Sequence, residues 1–439
     1  MAPAFIRLLS YVNIKWLTRM TSDPDDTRIS RGSAEARRMR YRFNAFLWMR
    51  LGLDSQKYSQ PKMKLQKITG QPSWVLRSNL VDAAVTQTGG HLGPVTFRLG
   101  RRRVRPFHVA PWAEEKTGKI PAILKVLRGD FFCMPFGGNG TAWKGEQHPV
   151  HGQTANDVWQ LAGAEDKGET RSLDLHLNTT IRKARIEKRI HLQQGHTAVY
   201  CRHVIRGASG PMNLGHHAML EFSAGGAGGR ISTSPIAFGQ VYPGPFENPV
   251  QGGYSSLKTG AEFRSLDRVP LAIGGWTDLT RYPAREGFED LVMVSAKPGG
   301  DFAWSAAVFS DEGYVWFSLK DPRVLASTVM WHSNGGRHYP PWNGRHRRVL
   351  ALEEVTSYFH EGLAESAAKN PLNARGIPTA IKLNPKHPTV VNVIMGVAAV
   401  PKGFDVVKAI ERKSDAIILR GAAGGGVTVP LDWKFLYGG

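Results

Sequence analysis

The residues that could do chemistry are concentrated first in residues 127–159, LRGDFFCMPFGGNGTAWKGEQHPVHGQTANDVW. Arg128 and Asp130 stand directly before an apolar run that is typical of a buried strand. At the mouth of such a strand, an arginine can act as a two-pronged donor to sugar hydroxyls or to a phosphate. We therefore predict Arg128 and Asp130 as ligand-binding residues, with a surface salt bridge or a turn as the alternative.

Two histidines follow in the sequence His148-Pro149-Val150-His151-Gly152. Glycine after His151 allows the backbone to turn tightly beneath a presented imidazole. Histidines three residues apart can also bind a metal, but Pro149 prevents the regular helix that would align them. We predict both as pocket histidines, with a structural role as the alternative, and we predict no metal site.

Two further polar pairs interrupt strand-like runs at His216-His217 and Glu353-Glu354. Neighbouring side chains on a strand point to opposite faces, so one member of each pair can enter a given pocket. A buried carboxylate is costly unless it is paired or functional, and burial would give it the raised pKa that suits a general base. A paired edge-strand glutamate is the alternative.

Tryptophans accompany these clusters and could stack on the apolar faces of sugars. We predict Trp159, Trp276 and Trp331 as substrate-binding residues. Most tryptophans pack in protein cores, so each is weak evidence alone. The full set is Trp112, Trp143, Trp159, Trp276, Trp331 and Trp342.

The elements that must position these residues are short strands separated by turn signals. Two strands joined by a Gly-rich turn are predicted within residues 81–97. Helical periodicity is weak except in residues 33–50 and 362–369. Many strands without interleaved helices predict an antiparallel, all-β sandwich. Further strands are predicted at residues 173–177, 189–192, 197–206, 291–295, 306–310, 314–318, 349–358, 390–398 and 416–419.

Composition separates residues 1–62 from the rest of the 439-residue chain. This segment holds 12 Lys and Arg against 5 Asp and Glu, and we predict a poorly ordered basic extension with some helix. One large domain is predicted for residues 63–439. Two cysteines give no disulfide framework, which fits a reducing, cytoplasmic location, and no apolar run is long enough to cross a membrane.

The formal net charge of +21 is spread over the chain without a concentrated basic stripe carrying interleaved aromatics. This pattern disfavours a nucleic-acid binder. It leaves room for long-range attraction of sugar phosphates or acidic glycans. The oligomeric state is not predicted.

The motifs together resemble the galactose mutarotase-like superfamily, most closely its aldose 1-epimerase and glucose-6-phosphate 1-epimerase branches. The resemblance covers roughly residues 70–433. Asp130 replaces a glycine of the first motif, Met219 an aromatic residue of the second and Glu354 a proline of the third. The matching stretches are Arg128-Gly129 with Pro135, His151-Gly152 with Trp159, Leu214-Gly215-His216-His217, and Leu352-Glu353-Glu354-Val355-Thr356.

The resemblance implies a large antiparallel β-supersandwich and interconversion of sugar anomers by general acid–base ring opening. Glu353 would be the base at the anomeric hydroxyl, and His217 the acid at the ring oxygen. His151 would bind near the ring oxygen, and Arg128 would bind peripheral hydroxyls or a phosphate. A monosaccharide, sugar phosphate or glycan is the expected ligand, and no metal or organic cofactor is needed.

Three other functions compete with this interpretation. A non-catalytic glycan-binding sandwich would not need Glu353 and His217 to face each other across one pocket. A separation of about one sugar ring between them would favour the enzyme, and opposite orientations would favour the binder. A lyase or hydrolase on the same fold would need a further acid or tyrosine in the pocket, for which Asp278 and Tyr282 are available. A polyanion or nucleic-acid binder would mass its basic residues on one face.

Overall fold

In the computed structural model, residues 63–226 and 228–438 are described, and they form an antiparallel all-β structure. The predicted fold class is confirmed. The basic extension and the helix predicted at residues 33–50 lie outside the described residues. No helix in the described part of the chain is both long and apolar enough to span a membrane.

In the described residues, turn-forming Gly and Pro residues separate 29 short strands and few helices. The first strands are β1 Gln66–Ile68, β2 Gln71–Arg77, β3 Val81–Thr86, β4 Leu92–Leu99, β5 Arg102–Val104, β6 Phe132–Cys133, β7 Gln160–Lys167, β8 Thr170–Thr179, β9 Ala184–Gln193 and β10 Ala198–Arg206. The next are β11 Gly210–Met212, β12 Leu214–His216, β13 Ala218–Glu221, β14 Gly229–Thr233, β15 Ile236–Val241, β16 Glu262–Phe263, β17 Val269–Pro270, β18 Trp276–Thr277, β19 Arg281–Tyr282 and β20 Phe288–Ala296.

The last strands are β21 Ala303–Phe309, β22 Tyr314–Lys320, β23 Ser327–Asn334, β24 Val349–Thr356, β25 Ile381–Leu383, β26 Thr389–Ala399, β27 Val407–Lys413, β28 Ala416–Gly421 and β29 Gly426–Pro430. The α-helices are α1 Ala122–Val126 and α2 Leu363–Ala367. Single 3-10 turns occupy Gln153–Ala155, Pro249–Gln251, Asn373–Arg375 and Trp433–Leu436. The α2 helix lies inside the predicted helical stretch. Helix α1 and many strands were not predicted, among them β7, β14, β15, β23, β27 and β29.

Two large sheets make the sandwich. One has nine strands in the order β19-β14-β21-β22-β26-β10-β9-β8-β7. The other has eight, in the order β16-β15-β20-β23-β24-β12-β6, with β13 also paired to β24. Smaller sheets accompany them: β1 to β5 in sequence order, β27 to β29, and the two-stranded pairs β11-β25 and β17-β18.

Successive side chains along each strand point alternately into the sandwich and toward its outer face. On β24, Leu350 and Leu352 belong to the apolar core between the two sheets. Val349, Ala351 and Val355 point the other way, into a second apolar cluster that includes α1 and the loops beyond it. This second cluster covers the outer face of the eight-stranded sheet, and we call that surface the covered face.

The outer face of the nine-stranded sheet carries a third apolar cluster. Strands β21 and β22, with parts of β10 and β26, pack there against the three-stranded sheet of β27 to β29. Phe404 and Val407, at the start of the three-stranded sheet, belong to this cluster, and so do Leu431 and Leu436, which follow its last strand. Strands β7, β8 and β9 contribute no residue to this cluster.

A buried ion pair links the two large sheets. Lys320 on β22 pairs with Glu354 on β24, and both side chains are almost inaccessible to solvent. Thr328 on β23 accepts a hydrogen bond from Lys320 Nζ at 2.9 Å and donates one to Glu354 Oε2 at 2.8 Å. Because a charge left alone in this interior would be poorly solvated, each member of the pair depends on the other.

We expect Glu354→Gln to lower the free energy of unfolding by about 3 kcal/mol, because it leaves the Lys320 charge buried without its counterion. The double variant Lys320→Met/Glu354→Leu removes both charges and should recover most of that loss. Urea unfolding of the three proteins is the measurement. A Glu354→Gln loss under roughly 0.5 kcal/mol would show that the pair contributes little.

Candidate active site

Strand alternation places Glu353 and His217 on the covered face. Glu353 lies between Leu352 and Glu354, which both point into the sandwich, and it is paired across the ladder with Val329 on β23. His217 lies at the break between β12 and β13, where its main-chain N–H donates to the carbonyl of Phe131 at 3.0 Å. The two side chains reach each other because β12 and β13 both pair with β24.

His217 Nε2 and Glu353 Oε1 are 3.2 Å apart. The relative exposure of these residues is 4% and 2%, so the contact is shielded from water. Burial raises the pKa of Glu353 well above its ordinary value and lowers the pKa of His217 to about 3. Both shifts favour the state in which Glu353 carries the proton and His217 is uncharged, so the two groups in direct contact hold one titrating proton between them.

His151 stands edge-on to His217, with ring centroids 5.0 Å apart. Its Nδ1 accepts a hydrogen bond from the main-chain N–H of Gly137 at 3.2 Å, which fixes the orientation of the ring. Gly152 takes φ of +74°, and a Cβ there would come within 2.0 Å of the Met134 carbonyl oxygen. The sharp turn that presents His151 therefore requires glycine at position 152.

Aromatic rings enclose the imidazoles. Phe131 stacks on His217 with centroids 4.5 Å apart and meets the edge of His151 at 5.8 Å. Trp331 stands edge-on to His217 at 6.1 Å. Burial among these rings lowers the pKa of His151 well below its ordinary value, so this imidazole is uncharged at neutral pH.

A second set of polar groups begins at Trp331. Its indole Nε1 donates to Glu289 Oε2 at 2.7 Å, and burial raises the pKa of Glu289 to about 7. The Arg337 guanidinium lies over the rings of Trp331 and Trp342 at 4.9 and 4.7 Å. Arg337 Nε donates to Glu247 Oε1 at 2.7 Å, so this cation already has a carboxylate partner.

His360 lies close both to the histidines around His217 and to the second set of polar groups, which includes Arg337. Its ring packs against Tyr242 at 4.8 Å and Phe246 at 5.2 Å. Burial, reinforced by the charge of Arg337, lowers its pKa to about 4. The carbonyl of His360 also accepts a hydrogen bond from Gly138, which joins the loop after β6 to the loop after β24.

The structure brings together four of the predicted site residues, namely His151, His217, Glu353 and Trp331. Asp130 points into the sandwich instead, where its Oδ2 contacts His216 Nδ1 at 2.7 Å. The prediction that only one of the two adjacent histidines can enter a pocket agrees with this arrangement. A role for Asp130 in binding substrate stays a prediction, and this contact does not support it.

Arg128 is fully buried and bonds to the backbone. Its Nε, Nη1 and Nη2 donate to the carbonyls of Val126, Ile68 and Thr69 at 3.0 to 3.1 Å. These bonds tie the first strands to the segment before β6. The predicted binding of hydroxyls or phosphate by Arg128 finds no support in them.

The remaining predicted residues lie in other surroundings. His148 contacts Glu146, which also pairs with Arg182. Trp159 is buried in the core between the sheets, where its Nε1 donates to the Thr154 carbonyl. Trp276 is 55% exposed on β18, with Arg268 over its ring.

The two residues reserved for lyase or hydrolase chemistry also have structural partners. The Tyr282 hydroxyl lies within hydrogen-bonding distance of the carbonyls of Ser333 and Val349. Asp278 accepts hydrogen bonds from the N–H and hydroxyl of Thr280. Neither contact supports a reactive role beside Glu353.

The sequence interpretation missed Glu289, Arg337, Glu247 and His360. Glu289 left a usable signal, because it stands two residues before Leu291 and shares its alternation with Leu291 and Met293 on the covered face. Arg337, Glu247 and His360 lie in connections without strand or helix periodicity. Nothing in their local sequence indicates that the fold brings them together.

The fold is similar to solved structures from bacteria. A candidate aldose 1-epimerase from Escherichia coli K12 matches with a TM-score of 0.51 at 13% identity, over 75% of this chain and 99% of that one. A candidate mutarotase (YeaD) from Salmonella typhimurium matches with a TM-score of 0.50 at 12% identity, over 78% and 98% of the two chains. No family model matches the sequence, and no curated protein matches it either.

A third structure, a candidate aldose 1-epimerase from Klebsiella pneumoniae, has a TM-score of 0.51 at 12% identity, over 76% of this chain and 82% of that one. These likenesses and the sheet order define the class. The chain has the galactose mutarotase-like fold, as the sequence motifs indicated. At such low identity the likeness establishes the architecture, and the chemistry has to be argued from the residues themselves.

We expect Glu353→Gln to raise the free energy of unfolding at pH 8 and to have less effect as the pH falls toward 4.5. The folded protein keeps the Glu353 proton to a higher pH than the unfolded chain does, because burial raises the folded-state pKa. Wild-type stability therefore falls as the pH rises from the unfolded pKa toward the folded one, and glutamine removes this loss.

Urea unfolding at several pH values measures this difference. Glu286→Gln is the control, because Glu286 is an exposed carboxylate in a surface ion pair. A difference between Glu353→Gln and wild type that does not change with pH would contradict a raised pKa at Glu353.

Proposed function

We propose that this protein is an aldose 1-epimerase, which interconverts the two anomers of a free sugar. The observation that carries the proposal is the contact of 3.2 Å between His217 and Glu353 on the covered face. Anomer interconversion needs one proton removed from the anomeric hydroxyl and one delivered to the ring oxygen. The contact is shorter than the separation of about one sugar ring that the sequence predicts for an enzyme. The two oxygens share one carbon, however, so an acid and a base in mutual contact can serve both.

Burial favours the proton on Glu353 in the resting pair, so the reaction begins when this proton passes across the contact of 3.2 Å to His217 and leaves Glu353 ionised. Glu353 removes the proton of the anomeric hydroxyl while His217 protonates the ring oxygen. The bond between the anomeric carbon and the ring oxygen breaks, and the open-chain aldehyde forms. Rotation about the C1–C2 bond and the reverse proton transfers close the ring as the other anomer, so the enzyme ends in its initial protonation state.

His151 and the aromatic rings support this chemistry by position. His151 is uncharged and fixed by Gly137, so it can hydrogen-bond to the sugar near the ring oxygen without competing for the proton. Trp331 and Phe131 exclude water from the pair. Glu289 accepts hydrogen bonds from Trp331, Ser333 and the main chain of Gly336, and it thereby fixes the orientation of the Trp331 indole beside the pair.

The charges around the pair favour an unphosphorylated, neutral sugar. Three carboxyl groups border the site, those of Glu353, Glu289 and Glu247. Arg337 is the guanidinium that faces them, and Glu247 neutralises it. An anionic phosphate would therefore meet buried acidic side chains, and among the described residues no cation without a carboxylate partner borders the pair. A cytoplasmic location remains part of this proposal.

We expect wild type to accelerate mutarotation of at least one of glucose, galactose and xylose above the spontaneous rate. Glu353→Gln and His217→Asn should each lower kcat/KM by about 10²-fold or more, because each removes one proton transfer. Polarimetry on freshly dissolved single anomers measures the rate. Glu286→Gln and His338→Asn, both at exposed positions, are the matched controls.

If wild type binds sugars but accelerates none of them, a non-catalytic glycan-binding protein replaces this proposal. If it is active and both site variants keep the full rate, the residue assignment is wrong and the activity stands.

The same assay separates neutral from anionic substrates. We expect kcat/KM for glucose or galactose, whichever is preferred, to exceed that for its 6-phosphate by at least about 10-fold, which corresponds to about 1.4 kcal/mol. NMR exchange between the anomers is the measurement for the phosphate, since its anomers give separate signals. A preference for the phosphate would contradict the charge argument without affecting the proton-transfer pair.

A further inference from the structure

The nine-stranded sheet has an open groove on its outer face, on the far side of the sandwich from the His217–Glu353 pair. The groove has a volume of about 500 Å³ and lies on β8, β9, β10 and the start of β26. It lies on the part of the sheet that the three-stranded sheet of β27 to β29 leaves open. We call it the arginine groove, after Arg185, Arg189, Arg202 and Arg206 in its lining.

The register of β9 and β10 sets these arginines directly opposite one another. Arg189 pairs with Arg202, and Arg185 pairs with Arg206. Side chains opposite each other in an antiparallel ladder have Cβ atoms only about 5 Å apart, and like charges at such positions destabilise the sheet. Two like-charged pairs on one face therefore destabilise the sheet, and nothing in the packing of the strands requires arginine at these positions.

Carboxylates relieve part of this repulsion. Glu187 lies between the two arginine pairs and contacts Arg185 at 3.3 Å and Arg206 at 3.1 Å. Asp174 on β8 contacts Arg189 at 3.3 Å. Glu165 on β7, beside the lining, contacts Arg189 at 3.1 Å. The four guanidinium groups therefore face three carboxylates, and the groove keeps a net positive charge while also offering acceptors for hydroxyl groups.

We propose that the arginine groove binds an acidic polysaccharide whose anionic groups are carboxylates. Each arginine pair is suited to one carboxylate, because guanidinium groups bind such anions through parallel hydrogen bonds. The two pairs are four residues apart along β9, or about 13 Å at the rise of an extended strand. Glu187 and Asp174 then accept hydrogen bonds from the uncharged hydroxyls between successive anionic groups.

The lining favours this ligand over a nucleic acid. It contains no tryptophan, tyrosine or phenylalanine on which a base could stack. Its two carboxylates would also repel a backbone that carries a phosphate at every nucleotide. A polymer with sparse charges and many hydroxyls fits both features, and the proposal is independent of the chemistry at Glu353.

The test is the affinity of the full-length protein for polygalacturonate, with dextran as the neutral polymer and polyadenylate as the nucleic acid. The groove variant is Arg185→Gln/Arg189→Gln/Arg206→Gln, which changes three half-exposed side chains. Arg202 is kept because it hydrogen-bonds to the Gly438 carbonyl. The control Arg281→Gln/Arg347→Gln/Arg412→Gln removes the same charge from exposed positions elsewhere.

We expect wild type to bind polygalacturonate and not dextran, and the groove variant to weaken Kd at least 10-fold while the control changes it less than 2-fold. Relief of the like-charge pairs should leave the melting temperature of the groove variant unchanged or raised, which checks its folding. If the triple variant is unstable, Arg185→Gln/Arg206→Gln should show the same preferential loss. No binding of polygalacturonate, equal losses in both triple variants, or tighter binding of polyadenylate through the same arginines would each overturn the proposal.

Discussion

Two neighbouring glutamates on one central strand define both the interior and the candidate active site. Because successive residues of a strand point to opposite faces, Glu354 enters the sandwich and Glu353 enters the covered face. The first joins the two large sheets through Lys320, and the second meets His217. A register shift of one residue in β24 would exchange these roles and leave both carboxylates without their partners.

The same alternation operates on the strands around β24. His216 faces the interior and contacts Asp130, while its neighbour His217 faces the site. The sandwich therefore holds two buried polar networks back to back, separated by the thickness of one sheet. The network around His217 lies beneath loops, whereas that around His216 is enclosed between sheets, which is why the first is the better candidate for contact with a substrate.

The sequence was sufficient for the fold class and for the core of the candidate site. Period-two patterning indicated the strands, and the adjacent pairs His216-His217 and Glu353-Glu354 indicated that one member of each would face a pocket. The orientation of Arg128 could not be predicted, because it depends on the distant carbonyls of Ile68 and Thr69. Arg337 and Glu247 lie 90 residues apart, each in a connection without regular secondary structure, and local sequence carries no information on such a contact.

The central claim is that His217 and Glu353 act as one unit that shares a single proton. A double-mutant cycle on the mutarotation rate tests it most directly, with Glu353→Gln, His217→Asn and the double variant compared with wild type. If the two residues act together, the double variant should be slower than the worse single variant by no more than about 3-fold, since either change already disables the unit. Losses that multiply would show that each residue acts alone and would contradict the account.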